Sequence, residues 1–588
     1  MSLLDDASLL VTPNARKEGK LYSIIPTNGN GDFSVTRATT ATRVNAAGLV
    51  ELVPYNLVQY SEMFSNAAWT KVRSTISANV VNAPNGTLTA DKLVEDTTAT
   101  NTHRAGQTFT FVVGNTYTIS CYAKAAERTQ IGLSFNLVPT TTTDGVVFDL
   151  SSGTIALQTA GYTGTITSVG DGWYRCTARK TADATSLRAD IGICVSNTAI
   201  YTGNGTSGVF IWGAQLVEGT SALDYQMTET RLNIPRLDYS LGSCPNILLE
   251  PQRTNLVQRS EEFDNAWWSK NAISITANTT TSPSGLVNAD SLIEDTSTAT
   301  HAMSVAFTAL ASPYTATIYA KSNGRNWLNI SFLSTANAFA NFDLQNGVLG
   351  TIGAASTATI TSVGNGWYRC SMTATTAVGA NTLAFYLASA NNTLSYTGNG
   401  TSGLFLWGAQ LEAGAYATSY IPTTSASVTR NADVISRGNI FTNGLITASG
   451  GTWFVELRNN RSLIRDAGLS ELYLGEDGSS YSAGGKQSIA IRHNGAGSNP
   501  MSFAYWNGSA ISDSFLITSL NPKIAIKFTA TTYDLFVNGV KVLSARPISW
   551  TLSNVQFLNK LLGTTQYINS MALFPTPLTD TQCIALTT

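Results

Sequence analysis

This chain is short of the residues that most often carry chemistry. Its 588 residues include three histidines, His103, His301 and His493, too dispersed to make a zinc site without further nitrogen or sulfur ligands. No GxSxG, HExxH or P-loop motif occurs, so the usual nucleophile, metalloprotease and phosphate-binding devices are missing. No catalytic residue is expected. Charge is scarce too: Asp, Glu, Lys and Arg make up 12% of the chain, about half the usual ~25%. Lys and Arg number 35 against 37 Asp and Glu, with no basic run, so a nucleic-acid partner lacks its electrostatic footprint. Nothing approaches the ~18 consecutive apolar residues of a membrane-spanning helix, and no membrane insertion is expected. The opening MSLLDDASLLVTPNARKEGK sets Asp5 and Asp6 where a signal peptide needs positive charge. The expectation is a product of the cytoplasm that leaves the cell only by assembly or lysis.

Cysteine is also sparse, and none of the six forms a CxxC pair. Cys121, Cys176, Cys194, Cys244, Cys370 and Cys583 are expected as buried small hydrophobes. Cys121 with Cys176, or Cys176 with Cys194, as strand neighbours leave a bridge open.

Thr, Ser, Asn and Gly fill the place of the missing charge, and 43% hydrophobic residues suffice for packed cores. β-branched residues with frequent glycine turns favour all-β domains, three to five of them at the usual ~100–200 residues each. The strongest pattern is a duplication. NLVQYSEMFSNAAWTK at Asn56 returns as NLVQRSEEFDNAWWSK at Asn255; GWYRC recurs at Gly172 and Gly366, YTGNGTSG at Tyr201 and Tyr396, and WGAQL at Trp212 and Trp407. The landmarks keep near-constant separations, so one whole fold is present twice. Within each copy, short alternating segments are separated by turns, as in TYTISCYAKA and NFDLQNGVLGTI with Asn346-Gly347 at the turn. Only SEMFSNAAW and SEEFDNAWW suggest a helical turn or two. Each copy therefore reads as a β-sandwich.

The expected layout is an N-terminal docking segment (1–50), repeat 1 (51–230), a proline-containing strap (231–254), repeat 2 (255–436) and a third β-sandwich (437–588). The first segment is too small to bury much core alone and is expected to dock on a partner subunit or on repeat 1. The last closes with a strand at Met571–Phe574 and a short helix from about Thr579.

Candidate sites follow from aromatic and acidic positions. Aromatic faces stack on sugar rings, yet a recurring Trp in a strand is a large core residue. Trp173 with Trp367 and Trp212 with Trp407 are expected in the cores. Trp69 and Trp268, beside polar turns, and the unmatched Trp327 and Trp506 are the candidate ligand-stacking rings. YTGNGTSG offers either backbone carbonyls to a ligand or glycines to positive-φ turns, and the turn role is favoured. Asp91, Asp96, Asp290 and Asp295 are the candidate ligands of a structural Ca²⁺. A solvated edge or a salt bridge to Lys92 is the competing explanation.

The phrases NLVQYSE with AAWTK, GWYRC, SGLFLWGAQLEAG and ATSYIPTTSASVTRNAD resemble the carbohydrate-binding-module-like sandwiches of tailed-bacteriophage tail, fibre and other virion proteins. VTRATTATRVNAAGLVE and PRLDYSLGSCPNILLEPQRTNL are similar to the head and connector of such proteins, and YDLFVNGVKV with INSMALFPTPLTDTQCIALT to concanavalin/laminin-G-like jelly rolls. Repeat 1 departs from the pattern with LDYQMTET at Leu223–Thr230 where repeat 2 has ATSYIPTT. The resemblance implies a virion appendage, homo-oligomeric, joined to other virion proteins through its N-terminal segment and binding host-surface glycans. The alternative is a purely architectural virion protein without glycan binding. An enzyme that cleaves glycans needs two facing carboxylates, and the sequence offers no obvious pair.

Overall fold

The structure, a computed structural model, describes all residues except 1–2, 14–15, 54–55, 112, 137–143, 223–224, 231, 459–469, 477–486, 494–500 and 562–564. It is all-β: antiparallel sheets stack in pairs as tandem sandwiches, with one short α-helix among the described residues. The chain divides into two compact units, residues 54–232 and a second unit built from 1–53 together with 233–588.

The first unit is repeat 1, two six-stranded sheets. One runs in the order Thr154–Gln158, Val146–Asp149, Gln130–Phe135, Ser186–Cys194, His103–Thr110, Thr70–Val72. Leu133, Phe135, Phe148, Ile191 and Ile193 point inward from it to meet Ile119, Cys121, Ala178 and Leu216 of the other. Alternation is legible in these strands, but TYTISCYAKA is buried on both faces. The reason is a second, smaller core on the outer side of its sheet, where Trp173 and Trp212 pack with Tyr122 and Tyr225.

Repeat 2 has the same two layers, with the outer core made by Trp367, Trp407, Tyr319 and Tyr420. Tyr225 and Tyr420 make matching bonds, to Ser61 and Glu62 in one copy and to Ser260 and Glu261 in the other. The divergent end of repeat 1 thus keeps its key tyrosine; Leu223 and Asp224 lie outside the described residues. SEMFSNAAW forms no helix. It runs as chained turns closed by Met63 N–H to Tyr60, Asn66 N–H to Met63 and Trp69 N–H to Asn66.

The expected docking segment and strap need correction. Leu9–Val11 adds to the strand Gln566–Phe574, and Phe33–Thr36 pairs with Val434–Arg437. From the strap, Arg236–Asp238 and Asn246–Leu249 extend the same sheet as Leu9–Val11. Leu9, Val11, Leu21, Phe33, Val35, Leu237 and Ile247 sit in the core of the third sandwich. Their apolar faces are therefore covered by this chain's own C-terminal strands, not held for a partner or for repeat 1. The hairpin Ala41–Val44 and Val50–Val53 packs on repeat 2, with Val50 N–H donating to the Pro283 carbonyl at 3.0 Å.

The junction of these segments is held by buried ions. Asp433 pairs with Arg37 at 2.6 Å and with Arg236, while Glu250 pairs with Arg236 at 2.7 Å and Arg430 at 2.8 Å. Burial by itself raises the Glu250 pKa, but Arg430, Arg236 and Ser419 outweigh it and hold the carboxyl well below its ordinary value. The third sandwich closes as the sequence suggests. Asn538 and Gly539 turn its clearest hairpin at φ 47° and 78°, and the helix Asp580–Thr587 starts at a Thr579–Gln582 capping box. The sequence alternation also reads as strands at 454–460, 471–477 and 487–494, of which Asn459, Asn460, Asp477 and Asn494 lie outside the described residues.

Candidate functional site

Repeat 2 carries a face suited to a ligand on the outer side of one sheet. In Trp327-Leu328-Asn329-Ile330-Ser331-Phe332 the period of two turns Leu328, Ile330 and Phe332 into the core and Trp327, Asn329 and Ser331 outward. The register then aligns Ala302, Tyr386, Asn329 and Asn341 as one row across four strands. Trp327 stands in the next row between Ala388 and Asp343.

This row is preorganised. Asn329 donates from Nδ2 to Asn341 Oδ1 at 3.0 Å and accepts from Ser331 Oγ at 2.6 Å. Asn341 donates in turn to the Thr351 carbonyl at 2.9 Å. Both asparagines are 0% exposed, so their amides form a fixed floor. Half-buried Trp327 and Tyr386 flank it. Gly350 makes room for the indole: a Cβ there would lie 2.6 Å from Trp327 Cζ3. Burial raises the Tyr386 pKa, which keeps its hydroxyl a neutral donor. The rings of Trp327 and Tyr386 are the groups of this face that can stack on a sugar ring, with the Tyr386 hydroxyl to bond it, while the buried amides hold the strands beneath them in place.

The equivalent face of repeat 1 is chemically different. The same register positions hold Gln130 for Trp327, Gly132 for Asn329, Gly192 for Tyr386 and Val147 for Asn341. Arg104 and Arg188 both bond Asp190 Oδ1 there, at 2.8 and 2.6 Å. Inward positions stay apolar in both copies: Ile131 and Leu328, Phe135 and Phe332, Ile191 and Phe385. The scaffold is shared and this outer face is what differs.

Of the expected stacking rings, two are corrected. Trp69 and Trp268 are 2% exposed, and their Nε1–H groups donate to the Tyr60 and Arg259 carbonyls at 3.0 Å. They anchor chained turns to the cores and offer no face to a sugar. Trp327 lies on the face just described. Trp506 ends the strand Met501–Trp506, half-buried on the outer side of the third sandwich, away from that face in sequence and fold. Asn329, Asn341 and Tyr386 were not singled out from sequence; the alternation around Trp327 signals Asn329, but the others need the register.

The four aspartates do not form a cation site. Asp91 accepts from the Phe64 and Asn79 amides at 3.1 and 2.9 Å, and Asp290 from Phe263 and Asn278 at 3.0 and 2.9 Å. Both are buried, and burial raises both pKa values, that of Asp290 to about 6. Asp96 and Asp295 instead cap the turns at Thr98 and Ser297. No group of three or more His, Cys, Asp or Glu converges among the described residues, and Lys92 pairs with Glu127 rather than with Asp91.

YTGNGTSG wraps a buried glutamate. Glu95 accepts from Tyr201 Oη, from the Asn204 amide and from Arg128 twice, and Glu294 repeats this with Tyr396, Asn399 and Arg325. His103 and His301 stack on Tyr201 and Tyr396 and bond the Arg73 and Ala272 carbonyls. The cysteines are free thiols, Cys244 exposed and the rest buried. Cys121 faces Cys176 in register, and burial pushes the Cys121 thiol up to about 12.

Fold and face together define a chain of tandem β-sandwiches with a polar-aromatic surface on its second repeat. No family model and no curated protein matches the chain. Among solved structures, the N-terminal CBM22-1-CBM22-2 tandem domain of Paenibacillus barcinonensis Xyn10C is similar at 12% identity and a TM-score of 0.18, over 64% of this chain and 99% of that one. So slight a likeness says nothing of ligand or site.

Proposed function

We propose that this chain is a non-enzymatic bacteriophage virion protein, a tail or fibre-type appendage whose second repeat binds host-surface glycans through Trp327 and Tyr386, positioned by the buried Asn329 and Asn341. The observation that carries the glycan reading is the contrast between the repeats: matched cores, with stacking rings and bonded amides on the outer face of one copy only. The virion assignment rests on the sequence resemblance. Binding by one shallow face is weak, and oligomerisation on a particle multiplies it. Asp91 and Asp290 accept from backbone amides rather than ligating a cation, so chelation with EDTA is expected to leave the melting temperature unchanged.

The rival reading, a purely architectural virion protein, is favoured by the burial of all six recurring tryptophans. A glycan array probed with the full chain separates the two. Saturable binding that Trp327→Ala weakens by about 2 kcal/mol, roughly thirtyfold, while Trp506→Ala leaves it intact, supports the proposal. A folded chain that binds no glycan leaves the architectural role.

A further inference from the structure

Repeat 2 also borders a cavity far from that face in the fold, at the turn end of its other sheet. It has a volume of about 360 Å³ and is lined by Thr280, Thr281, Ser282, Lys321 and Asn365, with Leu49 of the N-terminal hairpin as one wall. The size is that of a small-molecule site (~300–1,000 Å³). Hairpin and repeat are tied together by the Val50 amide on the Pro283 carbonyl, and Trp367 is fixed by its Nε1–H on the Thr281 carbonyl at 3.0 Å. The cavity thus lies at a hydrogen-bonded junction.

Its chemistry is set by contrast with repeat 1. Trp173 bonds Asn82 as Trp367 bonds Thr281, which places Val81, Asn82 and Ala83 at the positions of Thr280, Thr281 and Ser282. The matching GDGWYRC and GNGWYRC turns place Asp171 at Asn365, and the strand register places Lys124 at Lys321. Repeat 2 therefore gains three hydroxyls and loses the carboxylate from the turn beside its lysine. Lys321 makes no hydrogen bond or ion pair with another described residue. An ammonium without a counter-ion, next to hydroxyls and an amide, is a place for an anion that itself carries hydroxyls.

We infer that this cavity binds a single carboxylate-bearing sugar ring, the carboxylate on Lys321 and the ring hydroxyls on Thr280, Thr281 and Asn365, with the Ser282 hydroxyl held by Ser284 in the wall behind them. The site is separate from the Trp327 face and stands or falls independently of it.

The test is calorimetric titration of the full chain with D-glucuronate, D-glucose and inorganic phosphate. Glucuronate binds and glucose does not. Lys321→Gln and Asn365→Asp each weaken glucuronate binding about tenfold or more, the worth of one charge-assisted bond, with unchanged melting. Asn365→Asp returns the turn to the repeat 1 residue at an exposed position, so it keeps the test valid if Lys321→Gln misfolds. Absence of glucuronate binding, equal binding by Asn365→Asp, or phosphate binding as tight as glucuronate overturns the inference. Trp327→Ala leaves this titration unchanged.

Discussion

At the residue scale, one side-chain type serves two ends according to the face it occupies. Trp268 lies in the core against Phe263 and Phe385, whereas Trp327 sits half-buried on an outer face. Trp268→Ala is expected to cost ~3–5 kcal/mol in urea unfolding, as large core truncations do, and Trp327→Ala far less while weakening glycan binding roughly thirtyfold. The alternation around Trp327 makes its outward position legible in sequence. Trp268 misleads because turn residues surround it and nothing local shows the sandwich closing over it. Asp290 carries a pH signature. Its folded pKa of about 6 exceeds the ordinary carboxylate value because burial outweighs its two amide bonds. Its contribution is fully present below the unfolded pKa and is lost as pH rises through about 6. Asp290→Asn therefore flattens the fall in stability between about pH 4 and pH 7, read from denaturant midpoints across that window, even if it lowers stability overall.

At the element scale, the octapeptide shows why a loop can be invariant between copies without touching a ligand. Its Tyr396 hydroxyl and Asn399 backbone amide both donate to buried Glu294, the Asn399 side chain accepts from the Ser402 amide, and a Cβ on Gly398 would lie 2.0 Å from the Asp295 carbonyl oxygen. Gly398→Ala is expected to destabilise repeat 2 by ~1–3 kcal/mol or more, with glucuronate and glycan binding retained in whatever fraction folds. An unchanged midpoint would show that the loop yields. The turn role of this loop was legible from its glycines; its dependence on Glu294 and Arg325, distant in sequence, was not.

At the scale of the whole molecule, residues 54–232 form one unit and the flanking segments close into another. Repeat 1 expressed as 54–232 is expected to unfold in one cooperative transition, since its cores are complete within it. A chain lacking residues 1–53 is expected to lose the third sandwich, because it strips strands from both sheets and leaves Asp433 without Arg37 in a buried site. Limited proteolysis decides this: a truncated chain with an intact 437–588 fragment would refute it.

The sequence by itself determined the all-β class, the duplication, most hairpin turns and the outward rank of Trp327, because these rest on period-two alternation, turn chemistry and repetition within short spans. Only the tertiary structure decided that the N-terminal segment and strap complete the C-terminal sandwich, that Trp69 and Trp268 are core, and that Asn341 and Tyr386 join Trp327 on one face. Each of these depends on pairing between strands far apart in the chain, and register across a sheet leaves no mark in the local pattern of residues.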